Sequence, residues 1–189
     1  MRCFVAVDLS PAVREALARA QAELQRGAPR ADVRWVDVAG SHLTLKFLGS
    51  VVEGRRAELA AALGEAAAGH RAIEVAAAGL GGFPSARRPR VVWAGITVGG
   101  APLTDLAAAV ERVVAPLGFP SEARPFAPHV TLGRVRSPRA LDRLAAALLA
   151  GAGDAFGTWT VREVTLLRSH LRPSGAVYEA LERVPLAAP

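Results

Sequence analysis

Two short stretches of this chain repeat one pattern, in which a threonine follows a histidine by two positions. They are Ser41-His42-Leu43-Thr44-Leu45-Lys46-Phe47-Leu48-Gly49 and Pro128-His129-Val130-Thr131-Leu132-Gly133-Arg134. On an extended strand, side chains two positions apart leave the same face, so each stretch predicts a strand with one polar and one apolar face. The chain has four histidines in all, and random placement would rarely put two of them in one repeated pattern. We therefore expect the two strands to share one function.

The rest of the sequence predicts strands and helices in alternation. The strands are predicted at 2–9, 33–38, 42–49, 73–75, 91–98, 129–136, 158–168 and 176–184, and the helices at 11–26, 55–68, 102–115 and 137–150. Ser10-Pro11 and Ser137-Pro138 each fit an N-cap with proline at the first helical position. Turns are predicted at three places: Gly79, Gly81 and Gly82; Gly99-Gly100; Pro173-Ser174-Gly175.

The two halves of the chain follow a similar order of elements. His42 and His129 lie about half a chain apart, and the strands beginning at Val91 and Val177 are separated by nearly the same interval. This indicates an internal duplication of one α+β unit, packed about a pseudo-two-fold axis so that the two motif strands face a groove. No linker or low-complexity segment interrupts the sequence. We therefore predict a single bilobal domain over residues 1–189.

Charge and apolar content restrict the class of protein. The net charge of +6 and the pI near 11.0 are carried almost wholly by arginine, since Lys46 is the only lysine. Arginine favours a phosphate-bearing partner, although a biased genome explains the same composition equally well. No apolar run approaches the roughly 20 residues of a membrane span, and Asp8 interrupts the first apolar stretch too early for a signal peptide. We expect a cytoplasmic protein that does not enter the membrane.

Cysteine and histidine chemistry narrow the kinds of site that are available. Cys3 is the only cysteine, which excludes an internal disulfide and a thiolate metal cluster and predicts a small buried side chain. Two imidazoles with no acidic residue inside either motif also make a poor metal site. His70 and His170 lack the motif context, so we expect surface or structural roles for both.

Paired histidines across a groove are suited to proton transfer at phosphorus. An imidazole, with an ordinary pKa of about 6.5, serves as base or acid near neutral pH. Thr44 and Thr131 would add hydroxyl donors to the non-bridging phosphate oxygens. A structural histidine and a threonine chosen for β propensity explain one such motif well, but they explain two poorly.

Two basic residues near the motifs are candidates for binding the phosphate. Lys46 follows His42 by four positions, so strict alternation puts both on one face. Arg134 follows His129 by five positions, which alternation puts on the opposite face. Gly133 permits a bulge that would turn the guanidinium back toward the histidine.

Other residues have both a functional and a structural interpretation. Phe83, Phe126 and Trp35 fit either stacking on a nucleobase or packing in the core. The arginines of the loop that follows Phe83 fit either binding along a nucleic-acid backbone or a solvated surface; they are Arg87, Arg88 and Arg90.

The chain resembles a known protein family along nearly its whole length. The two motifs with their flanks resemble the two-histidine (2H) phosphoesterase superfamily, and most closely the RNA 2′,3′-cyclic phosphodiesterases, also called ThpR or LigT-like and historically 2′-5′ RNA ligases. Matching segments outside the first motif are Arg2-Cys3-Phe4-Val5-Ala6-Val7-Asp8, Phe83-Pro84 through Pro89-Arg90-Val91-Val92-Trp93, and Phe126-Ala127 with the second motif.

The resemblance implies both a fold and a reaction. The implied fold is α+β and duplicated, with two antiparallel sheets lining a central cleft and helices packed outside. The implied reaction is hydrolysis of an RNA 2′,3′-cyclic phosphate to a 2′-phosphomonoester, without metal or other cofactor. The resemblance also implies that His42 is the acid that protonates the leaving 3′-oxygen and that His129 is the base that activates water. Thr44, Thr131 and Arg134 would hold the phosphate, and Lys46 remains a further candidate.

Three other functions fit the same residues. The site would also serve ligation through a 2′-5′ linkage, or hydrolysis of small cyclic or 2′-5′-linked nucleotides. A non-catalytic protein that binds RNA ends is a rival from another class, and it predicts salt-sensitive binding without turnover. In each case we expect a monomer whose partner is an RNA end or a related nucleotide.

Overall fold

The computed structural model of the protein describes residues 1–172 and 175–187. Its helices and strands follow in chain order: β1 (Arg2–Asp8), α1 (Pro11–Gly27), β2 (Val33–Trp35), β3 (His42–Ser50), α2 (Arg56–Ala68), β4 (Ile73–Phe83), β5 (Val91–Val98), α3 (Gly100–Val114), β6 (His129–Val135), α4 (Leu141–Ala150), β7 (Ala155–Val161), β8 (Glu163–Arg172) and β9 (Gly175–Pro185). None of the helices in the described ranges is long and apolar enough to cross a membrane.

The strands form two antiparallel sheets, which confirms the α+β class. Sheet A has the order β3-β1-β8-β9, and sheet B has the order β2-β6-β5-β4-β7. The motif strands hold equivalent positions, because β3 lies beside β1 and β6 lies beside β5. Each sheet is then completed by strands from the other half of the chain, since β8 pairs with β1 and β4 pairs with β5. Both halves of the chain therefore contribute strands to each sheet.

The sheet order contradicts one equivalence between strands that the sequence spacing predicts. The strands that begin near Val91 and Val177 were expected to be equivalent because of their spacing. In the structure β5 lies inside sheet B next to a motif strand, whereas β9 lies at the edge of sheet A. The strand equivalent to β5 is β1, and that match was missed because β1 and β5 share little sequence.

Helices cover the outer face of each sheet. Helices α2 and α3 contact strands of sheet A, and α1 and α4 contact strands of sheet B. Cys3, Val5 and Val7 alternate along β1 into the main core beneath the helices, whereas Phe4 and Ala6 point to the opposite face and pack with a separate small cluster. Both faces of β1 are thus buried. One face stabilises the helix layer and the other supports the groove.

Serine-proline pairs begin only one of the two helices for which they were predicted. Ser10 caps α1 as expected, because its hydroxyl accepts a hydrogen bond from the Val13 amide. The expectation for Ser137-Pro138 is wrong. Ala140 has a left-handed backbone (φ 53°), which interrupts the helical run, so α4 begins only at Leu141 and has no side-chain cap.

Three further boundaries differ from the sequence-based expectation. The glycines at 79, 81 and 82 do not form a turn, because β4 continues through them, and Gly81 leaves room for the Trp93 ring. The strand expected at 158–168 is two strands, β7 in sheet B and β8 in sheet A, separated at Arg162. The strand expected to reach 38 ends at Trp35. Pro173 and Ser174, part of a predicted turn, lie outside the described residues.

Candidate active site

His42 begins β3 and is held by three contacts. Its Nδ1 lies 3.2 Å from the Gly40 carbonyl oxygen. Its ring stacks on Phe4 with centroids 4.5 Å apart and meets the Tyr178 ring edge-on at 4.8 Å. A carbonyl oxygen can only accept a hydrogen bond, so Nδ1 carries the proton and the Nε2 of the neutral ring is the free base.

His129 begins β6 in the same way. Its Nδ1 lies 2.7 Å from the Ala127 carbonyl oxygen, again two residues earlier in the chain. The Phe83 ring meets the imidazole edge-on, with centroids 5.0 Å apart. The two histidines therefore adopt the same tautomer and each presents Nε2, which is the arrangement that a pair of proton-transfer groups requires.

The two motif strands lie next to each other although they belong to different sheets. Cα atoms of β3 and β6 approach within 8 Å. The side-chain amide of Gln21, on α1, donates hydrogen bonds to the carbonyl oxygens of Val36 and Leu132, at 2.8 and 2.9 Å. The bond to Leu132 stabilises β6. The groove between the sheets thus has one motif strand on each side.

Both motif threonines share the face of their histidine. In sheet A, His42 is opposite Asp8 and Thr44 is opposite Ala6. In sheet B, the partners of His129 and Thr131 are Gly95 and Trp93, which also alternate on one face of their strand. Both threonines are half-buried. Each motif therefore presents one imidazole and one hydroxyl to the groove.

A bulge in β6 places Arg134 on this face as well. The β5–β6 register shifts between Val92 and Trp93, so that Arg134 is opposite Val91. Since Val91, Trp93 and Gly95 alternate on one face of β5, Arg134 shares the face of His129 and Thr131. The bulge expected from Gly133 is therefore present.

Lys46 is directed away from the groove, contrary to the expectation from strict alternation. A register shift between Val5 and Ala6 places Lys46 opposite Val5, on the core side of β1, and Phe47 opposite Phe4 on the groove side. The Lys46 side chain is buried, and its ammonium donates to Glu111 Oε1 at 3.0 Å and to the Pro120 carbonyl at 2.6 Å. The same kind of bulge thus brings Arg134 into the groove and removes Lys46 from it.

Burial lowers the pKa of both histidines, and nearby charges then distinguish them. For His42, desolvation is the largest cause; the Asp8 carboxylate acts in the opposite direction and raises the pKa, whereas Arg14 lowers it. For His129, desolvation again dominates, and the Arg134 guanidinium lowers the pKa further. A carboxylate therefore favours the protonated form of His42, and an arginine favours the neutral form of His129.

Tyr178, on β9, contributes to the site and was missed from sequence. It is the only tyrosine of the chain and contacts the rings of Phe4 and His42 edge-on. Burial raises the pKa of Tyr178, whereas the charges of Arg134 and Arg34 lower it. The charges of two arginines of sheet B thus act on a tyrosine of sheet A, across the groove. No local pattern marks this residue, because only the pairing of β9 with β8 brings it to the site.

The other candidate residues divide between the site, the core and the surface. Phe83 contacts His129, whereas Trp35 and Phe126 pack against the main core.

The two histidines outside the motifs lie away from the groove. His170 is paired with Glu179 at 2.7 Å on the opposite face of sheet A, and His70 follows the end of α2. The arginines of the loop after Phe83 are largely exposed; they are Arg87, Arg88 and Arg90. Within residues 1–172 and 175–187, no three His, Cys, Asp or Glu side chains are grouped to hold a metal ion.

Comparison with known proteins identifies the family. The sequence matches the family described as LigT like Phosphoesterase over residues 7–93 and 98–178. The chain belongs to this family. The resemblance expected from the two motifs is therefore confirmed, and a LigT-like phosphoesterase is an enzyme that hydrolyses phosphate esters.

Relatives and solved structures agree with this assignment over the full length of the chain. The RNA 2′,3′-cyclic phosphodiesterase of Methanothermobacter thermautotrophicus is 35% identical, covering 96% of this chain and 97% of that relative. The protein of the same name from Aquifex aeolicus is 32% identical over 96% and 95%. The crystal structure of TT0787 of Thermus thermophilus has a TM-score of 0.78 at 32% identity, covering 98% of both chains. E. coli LigT complexed with 3′-AMP has a TM-score of 0.75 at 28% identity, covering 98% of this chain and 97% of that one.

Proposed function

We propose that this LigT-like phosphoesterase is an RNA 2′,3′-cyclic phosphodiesterase that forms a 2′-phosphomonoester by paired-histidine catalysis. The observation that carries the proposal is the matched presentation of two imidazoles, each with Nδ1 bonded to the carbonyl two residues earlier. The names of the relatives at 32% and 35% identity support the substrate class.

In the proposed reaction His129 is the base and His42 is the acid. Nε2 of neutral His129 takes a proton from water as the water oxygen attacks phosphorus. The bond between phosphorus and the ribose 3′-oxygen breaks, and Nε2 of protonated His42 gives its proton to that oxygen. The phosphate remains on the 2′-oxygen. Charge and protons balance without a metal ion.

The charges beside the histidines favour these roles. Asp8 stabilises the protonated form that an acid needs, and Arg134 stabilises the neutral form that a base needs. The resemblance alone gave this assignment from sequence, since the two motifs are too alike to distinguish. The positions of Asp8 and Arg134 support it independently.

The threonines and Arg134 would bind the phosphate. Each threonine hydroxyl can donate to a non-bridging oxygen, one from each side of the groove. The guanidinium would stabilise the charge that develops on those oxygens in the transition state. Lys46 is excluded from direct contact while its ammonium is bonded to Glu111 and Pro120, so we assign it no role in phosphate binding.

Replacement of each histidine by alanine tests the proposal directly. We expect His42→Ala and His129→Ala each to lower kcat on a nucleoside 2′,3′-cyclic phosphate by at least about 100-fold, the usual contribution of a general acid or base. His70→Ala is the matched control, since it removes a histidine outside the groove. Product analysis of the wild-type reaction should show only the 2′-phosphate, with the same rate in the presence of a chelator. Strong residual activity in both motif variants, or a 3′-phosphate product, would refute the mechanism.

A further inference from the structure

Arg34, on β2, lies directly opposite Arg134 in the antiparallel ladder between β2 and β6. Side chains in such cross-strand pairs start about 5 Å apart at Cβ, and like charges there destabilise the sheet. Both arginines are exposed. Among the described residues, neither Arg34 nor Arg134 forms a salt bridge with a carboxylate.

Arg34 lies on the groove side of sheet B. It shares a face with Arg134, and through it with Thr131 and His129. Its charge also acts on Tyr178 of the opposite sheet, as the charge of Arg134 does. Two guanidinium groups without a carboxylate partner therefore face one end of the groove.

The equivalent end of β3, the other motif strand, is aromatic and carries no such pair of charges. Phe47 occupies the position in β3 that Arg134 occupies in β6, five residues after the histidine, and its side chain is 57% exposed. It lies beside Phe4, with ring centroids 6.0 Å apart. One end of the groove is therefore aromatic and the other carries two positive charges, which is one more than a single cyclic phosphate needs.

We propose that Arg34 binds a second phosphate of the substrate, the phosphodiester that joins the terminal nucleoside to the rest of the RNA chain. This inference rests on the proposed function. It specifies that the substrate is the end of an RNA chain and that a mononucleotide lacks one of its contacts. A phosphate near both guanidinium groups would also relieve their mutual repulsion.

Kinetics with two substrates tests this inference. We compare a nucleoside 2′,3′-cyclic phosphate with a short RNA that ends in the same cyclic nucleotide. Arg34→Gln should lower kcat/KM on the RNA about five- to tenfold more than on the mononucleotide, and Arg34→Lys should restore part of the difference, since lysine keeps the charge. Arg19→Gln, which removes an exposed arginine from α1 in the outer helix layer, should not change the ratio of the two values.

Binding gives a readout that does not depend on catalysis. For a short RNA ending in a 3′-phosphate, the slope of log Kd against log salt concentration should fall by about one in Arg34→Gln and stay unchanged in Arg19→Gln. Equal losses of kcat/KM on both substrates, or an unchanged salt slope, would overturn the role of Arg34. If the wild-type protein hydrolyses neither substrate while the salt slope still responds to Arg34→Gln, the proposed function fails and the RNA contact stands.

Discussion

At the scale of single residues, the two motif histidines share their tautomer but differ in the residues that lie beside them. His42 and His129 have the same tautomer and the same type of backbone partner. Their neighbours across the ladder differ, since Asp8 is opposite His42 and Gly95 is opposite His129. Flanking charges therefore distinguish two histidines whose motifs are alike, which supports the acid and base roles proposed for them.

The flanking charges predict opposite shifts in the pH profile of kcat/KM, which should be bell-shaped. In the proposed mechanism the acid limb reports the base, because activity is lost as His129 becomes protonated. The alkaline limb reports the acid, because activity is lost as His42 loses its proton. Arg134 lowers the pKa of His129, so Arg134→Gln should raise that pKa and move the acid limb to higher pH. Asp8 raises the pKa of His42, so Asp8→Asn should lower it and move the alkaline limb to lower pH.

Both variants therefore narrow the profile, from opposite sides. Glu65→Gln on α2, an exposed acid outside the groove, is the control for a simple change in net charge and should leave both limbs in place. If Arg134→Gln moved the alkaline limb and Asp8→Asn the acid limb, the acid and base roles would have to be exchanged.

At the scale of elements, bulges decide which side chains enter the groove. Gly133 lies at the bulge of β6 and has no room for a side chain: a Cβ there would be 2.7 Å from Val33 Cγ1 and 3.0 Å from Trp35 Cε3. The close packing of β2 against this glycine fixes the register that turns Arg134 toward His129.

Gly133→Ala should therefore affect both stability and activity. We expect a loss of about 1–3 kcal/mol in the free energy of unfolding, the usual cost of overpacking, and a lower kcat/KM as Arg134 is displaced. Gly64→Ala is the control: it lies in α2 with no atom within 4 Å of the new Cβ. It should gain about 0.5–1 kcal/mol and keep full activity. Urea unfolding and steady-state kinetics measure both effects, and a Gly133→Ala protein as stable as the wild type would contradict the role of the bulge.

These bulges also explain how far the sequence predicts the site. The histidines and threonines follow from alternation within one strand, and Gly133 is a local signal for the turn of Arg134. No such signal accompanies Leu45 and Lys46, so strict alternation does not predict the bulge there and puts Lys46 on the wrong face. Arg34 and Tyr178 lie outside both motifs and reach the groove only through pairing between distant strands. Pairing of that kind depends on tertiary contacts, which periodicity does not reveal.

At the scale of the whole molecule, the exchange of strands makes each half depend on the other. Strand β1 is flanked by β3 from its own half and β8 from the second, and β5 is flanked by β6 and by β4 from the first. We propose on this basis that the chain is one folding unit, since each sheet pairs strands of one half with strands of the other.

Separate expression of residues 1–86 and 87–189 tests this proposal. We expect neither fragment to show a cooperative unfolding transition by circular dichroism, because each leaves buried strands without a partner. The control is the full chain cleaved within the exposed loop at 84–90 after folding, which keeps every strand pair and should still unfold cooperatively. A fragment that folds alone would show that the halves are independent domains.

The pairing of β9 beside β8 also sets the order in which the site is completed during synthesis. Tyr178, which packs against His42, lies on the last strand of the sheet, and β8, which supports Phe4, immediately precedes it. A nascent chain that has already exposed both histidines still lacks the strands that hold the first of them in place. Because translation delivers β8 and β9 after the strands that carry both histidines, the groove is completed only once β9 has been synthesised.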